Sequence, residues 1–327
     1  MFIAYLQPVF SKIISTDFIN FVLVTYFKNI SWAGPTFVRK KTISVIAWIF
    51  EKLVFEFLCT FHWKQRIVQA NRTYACNEST DKSESFYKQT LKNLVRHVGD
   101  IIFNFESFKK VPQDTASYPY RKDGITYELA EGSKSTLQRM QNGGIFLTAH
   151  YGNYEAIGPW LCRLGIPLKA SYIPLRPRWL NRLVEQKIRA VDGKSYAINA
   201  QNPRTFLRLL DEGKLFCLLM DQDSRIASAM DATFLGKDVQ VNPLPDFLLK
   251  HRPHTPVYIC WMEESDDTRR KTLHAVEVTG TTKETTKTKS VAEIFNRWLE
   301  ERIAENPTLW YGWTHRRFYS KNPEIYD

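Results

Sequence analysis

Gly-Gly-Ile-Phe-Leu-Thr-Ala-His-Tyr-Gly-Asn-Tyr-Glu, residues 143–155, opens on a short apolar run, Gly144–Ala149, of the kind buried in a parallel sheet. His150 then stands at the strand end, Gly152 and Asn153 permit a turn, and Glu155 follows in what reads as the first turn of a helix over 153–164. Inside one helix, two residues five apart would lie about 140° from one another and could not touch. Across a strand end and a helix start they can converge. Glu155 would then accept the proton on one imidazole nitrogen and leave the other free as a general base. Backbone N–H groups at the Gly152–Asn153 turn, or a nearby arginine, are candidates for stabilising an oxyanion.

Outward from this stretch, strand and helix patterns alternate. A helix is expected over 203–212, an apolar run over 215–220, and strands over 257–262 and 274–278. Upstream, Tyr87, Leu91, Leu94, Val95, Val98, Ile102 and Phe105 recur at helical spacing, with Lys88, Lys92 and Arg96 on another side. Near the C-terminus, Ser290 with Glu293 forms a capping box and Asn306-Pro307 a stop. The expected fold is α/β, a mostly parallel central sheet flanked by helices.

The chain has 327 residues, 44% hydrophobic and 24% charged, which excludes a disordered tail or a polytopic membrane protein. Five unpaired-looking cysteines argue against a disulfide framework or a cysteine-built zinc site. A net charge of +11 predicts anionic partners. Fourteen of the 45 aromatic residues fall in the first 61 positions. There the apolar run Phe18–Phe27 is too short to span a bilayer, and Ile43, Ile46, Phe50, Val54, Phe57 and Phe61 form a helical stripe opposite Lys52 and Glu56. Arg39, Lys40 and Lys41 beside Trp32 and Phe37 suit an anionic membrane surface. Residues 1–61 are therefore expected to be amphipathic membrane-associating helices, and 62–327 the α/β domain. Packing of the same helices on the domain core is the competing reading.

His-Tyr-Gly-Asn-Tyr-Glu (150–155) resembles the His-x4-Asp/Glu signature of glycerolipid-type acyltransferases, in the form found in the lipid A late acyltransferases of lauroyl/myristoyl type. Leu-Leu-Met-Asp-Gln-Asp (218–223), Phe-Leu-Gly (234–236) and Trp-Thr-His-Arg-Arg-Phe (313–318) resemble that family's downstream motifs, in the same order. The resemblance covers roughly residues 45 to 320 and implies transfer of a fatty acyl chain from acyl carrier protein to a hydroxyl of a lipid A precursor in lipopolysaccharide biosynthesis. It implies His150 and Glu155 as the catalytic pair, without metal or cofactor. It also implies a seat on the cytoplasmic face of the inner membrane, with acyl carrier protein, a phosphorylated glycolipid acceptor and anionic lipid as partners. Substrate-binding candidates are Gly152, Asn153, Asp221, Asp223, His315, Arg316 and Arg317. Where the family commonly has Tyr-Arg-Pro, this chain has Tyr172-Ile173-Pro174, so Arg176 and Arg178 just beyond are the candidates for that arginine.

Asp221 and Asp223 could instead ligate Mg²⁺, a weaker reading than orientation of substrate or of His150. Cys162 reads as a small buried residue, not a nucleophile. The alternatives are acylation of another glycolipid or an amino-acid lipid, and a non-catalytic basic membrane-binding protein. Nucleic acid is not expected as a partner, since no binding module is present and the basic residues are scattered.

Overall fold

A computed structural model describes residues 36–77, 80–172, 178–198, 202–265, 267, 269–278 and 290–327. The run Phe18–Phe27, Trp32 and Arg176 lie outside the described residues, as do the side chains of Phe37 and Arg39–Lys41.

In chain order the described elements begin with α1 (Thr36–Thr60), α2 (Gln65–Cys76), α3 (Thr80–Gly99), β1 (Tyr120–Lys122), β2 (Ile125–Leu129), α4 (Ser133–Met140) and β3 (Gly144–Thr148). They continue with α5 (Ile157–Arg163), β4 (Leu168–Ser171), α6 (Arg178–Lys187), β5 (Ala190–Val191), β6 (Lys194–Ser195), β7 (Ala197–Ile198), α7 (Pro203–Asp211) and β8 (Leu215–Leu219). The last are β9 (Met230–Phe234), β10 (Lys237–Val241), α8 (Leu244–His251), β11 (Val257–Glu264), β12 (Arg270–Glu277) and α9 (Val291–Glu305).

One eight-stranded sheet runs β1-β2-β12-β11-β3-β8-β4-β7. Only β1/β2 and β11/β12 pair antiparallel; the other neighbours are parallel, as the alternating pattern predicts. β3 sits near the middle with every residue buried, the condition under which an uninterrupted apolar run is stable in a sheet. Its neighbour β8 is in register with it, Gly144 opposite Leu215 and Thr148 opposite Leu219. Two residues beyond Thr148 is His150, and two beyond Leu219 is Asp221. The register therefore delivers both to one point, because parallel neighbours lie about 4.8 Å apart.

The expected capping box is present: the Ser290 hydroxyl accepts from the Glu293 amide at 3.2 Å, and the Glu293 carboxylate accepts from the Ser290 amide at 2.8 Å. The helix expected over 153–164 begins with a 3₁₀ turn, Tyr154–Ala156, before α5. α3 ends at Gly99 and continues as a π-helical turn over Asp100–Asn104, which carries Asp100 inward.

α1 lies on α3. Leu58 is buried, Phe50 meets Phe103 edge-on with ring centroids 5.5 Å apart, and the Tyr87 hydroxyl donates to the Trp63 carbonyl at 2.9 Å just past the helix end. Of the predicted stripe, Phe50, Val54 and Phe57 are half-buried, whereas Ile46 and Phe61 are exposed. Val45, Trp48, Ile49 and Leu53 are exposed as well, Trp48 to 60%. The helix is apolar nearly all round, so one side reaches the core and another stays bare. Among the described residues, no helix is long and apolar enough to cross a membrane.

Candidate active site

His150 is 3% exposed and its two ring nitrogens face different surroundings. Nδ1 lies 2.8 Å from Asp221 Oδ1, and the His150 amide donates to Asp221 Oδ2 at 3.1 Å. The Trp310 indole donates to the same Oδ2 at 2.9 Å. Burial works against the Asp221 charge, but His150 and these donors outweigh it and hold the carboxyl down at about 2. A carboxylate so fixed keeps the proton of a neutral imidazole on Nδ1 and leaves the lone pair on Nε2. Among the described residues, Nε2 has no hydrogen-bond partner.

Glu155 does not take the orienting place expected of it. Neither ring nitrogen of His150 is bonded to it; Nδ1 goes to Asp221, which arrives on the neighbouring strand at the matching register. The 3₁₀ turn carries Glu155 elsewhere. Burial raises the Glu155 carboxyl, and surrounding positive charge, that of the buried Arg189 included, outweighs this and lowers it. Arg189, which stacks on Tyr172 at 4.6 Å, was not singled out in the sequence. Arg178 is exposed at the start of α6.

The turn between His150 and Glu155 is clamped from two sides. On one, the C-terminal segment pairs with it antiparallel: Gly152 donates to the Leu309 carbonyl at 3.0 Å and Tyr311 to the His150 carbonyl at 2.8 Å. Gly152 has φ +56, and a Cβ there would stand 3.1 Å from the Met262 carbonyl, so a side chain would be strained in conformation and tight against that carbonyl. Its N–H is engaged by Leu309, which removes it as an oxyanion donor. On the other side Asn153 donates to Asp100 at 2.8 Å and to Glu264 at 3.0 Å. Lys271, 2% exposed, bonds the same two carboxylates. Burial opposes charge on Lys271 and Asp100, yet their attraction prevails, raising the ammonium and lowering the carboxyl. Nothing in the sequence pairs Asp100, Asn153, Glu264 and Lys271.

Asp223 turns from the site to accept from Ser320 at 2.8 Å and Arg225 at 3.2 Å. Among the described residues no cluster of three or more His, Cys, Asp or Glu could hold a metal ion. Arg317, a substrate-binding candidate in the sequence, is 1% exposed and donates to the Gln240 carbonyl at 2.9 Å, beneath the surface. Its neighbour Arg316 is exposed. His315 faces His150 with ring centroids 5.9 Å apart, and burial with the nearby His150 pushes its imidazole down to about 3. Burial pushes the Cys162 thiol up to about 12, which removes it as a nucleophile.

His150 lines a narrow cleft with Trp63, Lys64, Tyr154, Tyr311, Thr314 and His315. The free space is about 10 Å³, room for about one water. A buried carboxylate, an oriented imidazole and an unengaged Nε2 in a cleft can remove a proton from a hydroxyl. A search among curated proteins finds no match. The sequence model described as bacterial lipid A biosynthesis acyltransferase matches residues 18–320.

Proposed function

The chain belongs to the bacterial lipid A biosynthesis acyltransferase family, and on that premise we propose that it moves a fatty acyl chain from an acyl carrier protein thioester to a hydroxyl of a lipid A precursor. His150 Nε2 takes the hydroxyl proton as the oxygen attacks the thioester carbonyl. The tetrahedral intermediate collapses by breaking the C–S bond, and the proton passes from the imidazolium to the departing thiolate. Asp221 holds the tautomer and stabilises the imidazolium. Glu155, charged beside Arg189, adds negative potential to the same pocket. The observation that carries this reading is the pairing of His150 Nδ1 with a buried carboxylate while Nε2 has no partner among the described residues.

The bare α1 side, with Val45, Ile46, Trp48, Ile49 and Leu53, supports a peripheral seat on an anionic membrane, which we assign to the cytoplasmic face of the inner membrane. The α1–α2 turn contributes Trp63 and Lys64 to the cleft, so a lipid acceptor would approach His150 from the membrane side.

The test is a vesicle assay with an acyl carrier protein thioester and a lipid A precursor, read by mass spectrometry, which also identifies the acceptor. Wild type should give the singly acylated product. His150→Ala should lose about 10²–10⁴-fold in rate; a folded His150→Ala protein with wild-type turnover would sink the mechanism.

A further inference from the structure

The Asn153 side chain leaves the turn after His150 and runs inward. Asn153 stands at the N-cap of the 3₁₀ turn Tyr154–Ala156, where an asparagine oxygen commonly accepts from the first turn, yet it makes no such cap. Its amide instead donates to Asp100 Oδ2 at 2.8 Å and to Glu264 Oε1 at 3.0 Å. Lys271 Nζ donates to the same two oxygens, to Asp100 Oδ2 at 3.0 Å and to Glu264 Oε1. Two nitrogens and two oxygens close a square.

Its corners come from separate parts of the fold. Asp100 sits on the π-helical turn after α3, Glu264 and Lys271 face one another across β11 and β12, and Asn153 belongs to the turn that starts at His150. Asp100, Asn153 and Lys271 are buried, and the Phe108 ring centre lies 5.4 Å from the ammonium. Two carboxylates against one ammonium leave a negative charge over, so the Asn153 donors are needed to satisfy the buried oxygens. The residue after Asn153 is Tyr154, whose ring meets the His150 ring edge-on with centroids 5.0 Å apart. The square therefore reaches the imidazole through one peptide unit and one aromatic contact, while Asp221 holds Nδ1.

We propose that Lys271, Glu264 and Asp100 are positioning residues for acyl transfer: acting through the Asn153 amide, they fix the Tyr154 ring against His150 and with it the aim of Nε2. This rests on the acyl-transfer reading. None of the three lines the His150 cleft, so they act through Asn153 and not on substrate. A buried ionic set costs desolvation that apolar side chains of the same size would avoid. What the square supplies in return is a single arrangement of donors and acceptors, which keeps the turn from shifting and misplacing the base.

The experiment is steady-state kinetics in the vesicle assay with wild type, Glu264→Met, Glu264→Gln, Asn153→Ala and the double variant of Asn153→Ala with Glu264→Met, each checked by thermal melt. Glu264→Met opens one corner yet leaves one carboxylate to one ammonium, so the buried charge stays balanced. Its kcat should fall by about tenfold or more with both KM values nearly unchanged. Glu264→Gln returns a carbonyl oxygen to the corner and should recover most of that loss. The double variant should be about as slow as Asn153→Ala alone, since both changes open the same square. The positioning role is overturned if folded Glu264→Met loses less than about tenfold in kcat, if the loss is carried by KM, if Glu264→Gln recovers nothing, or if the losses multiply in the double variant. If Glu264→Met melts below the assay temperature, Asp100→Leu replaces it on the same criteria, with Asp100→Asn as its conservative partner. Should wild type transfer no acyl group, the acyl-transfer reading fails separately, and proton NMR decides the positioning. The His150 Nδ1–H resonance, identified by its loss in His150→Ala, should move in Glu264→Met and return in Glu264→Gln; a resonance that stays in place, or that Glu264→Gln does not restore, refutes it.

Discussion

At the scale of single residues, the ring of His150 is bonded to Asp221 and not to Glu155. Asp221→Asn keeps the shape but replaces the acceptor that holds the Nδ1 proton, and an amide can present its NH₂ to the ring instead, favouring the wrong tautomer. We expect kcat to fall on the order of 10³–10⁴-fold with KM little changed, by analogy with loss of an orienting aspartate elsewhere. Rates of purified variant and wild type check this, and a loss under tenfold would return the orienting role to another group. Lys271 makes a second case. Lys271→Met would leave Asp100 and Glu264 buried without their cation, at a cost of about 3–5 kcal/mol. Urea unfolding measures it, and Asp100→Asn on top of Lys271→Met should recover part of the loss.

At the scale of elements, α1 is apolar on more faces than the core can cover. Phe50, Val54 and Leu58 reach α3 and the domain interior, while Trp48, Ile49 and Leu53 stay exposed. Amphipathic spacing in the sequence marks the helix correctly, but spacing alone does not say which apolar residues meet protein, because that depends on where α3 lies. Trp48→Ser with Leu53→Ser removes apolar area that touches no core. Each change should weaken partition into anionic vesicles by roughly 1–2 kcal/mol while stability moves by about 0.5 kcal/mol or less. Vesicle sedimentation and thermal melts together check this; unchanged partition would remove α1 as the membrane contact.

For the molecule as a whole, stability should decline with acid in a defined window. His97 is lowered to about 4, chiefly by burial, and His315 to about 3. Both imidazoles bind a proton more weakly in the fold than in the unfolded chain, where the value is about 6.5. Below about pH 6.5 the unfolded chain therefore takes up more protons, and stability falls as pH falls toward 4, on the order of 3 kcal/mol for His97 alone. Asp221, held at about 2, contributes stability above pH 4 that is lost between about 4 and 2. Glu51, raised to about 7 by burial and by Asp100, acts in the opposite direction, but it is half-exposed and its share is screened. Urea midpoints at pH 7.5, 5.5 and 4 should fall in that order.

The sequence by itself determined the α/β class, the strand that ends in His150, the turn at Gly152 and the capped C-terminal helix. Each rests on local periodicity, on a glycine that permits a turn, or on a short-range hydrogen-bond pattern. It also carried Asp221 as a possible orienting group, without a reason to prefer it to Glu155. Only the tertiary structure sets Asp221 against His150 Nδ1, because the register of β3 against β8 joins residues 71 positions apart in sequence. The same holds for Trp310 on Asp221, Lys271 between Asp100 and Glu264, Arg189 near Glu155, and Lys64 beside His150. Such partners meet through sheet order and helix packing, and no local pattern in a linear chain encodes which charges will share a buried space.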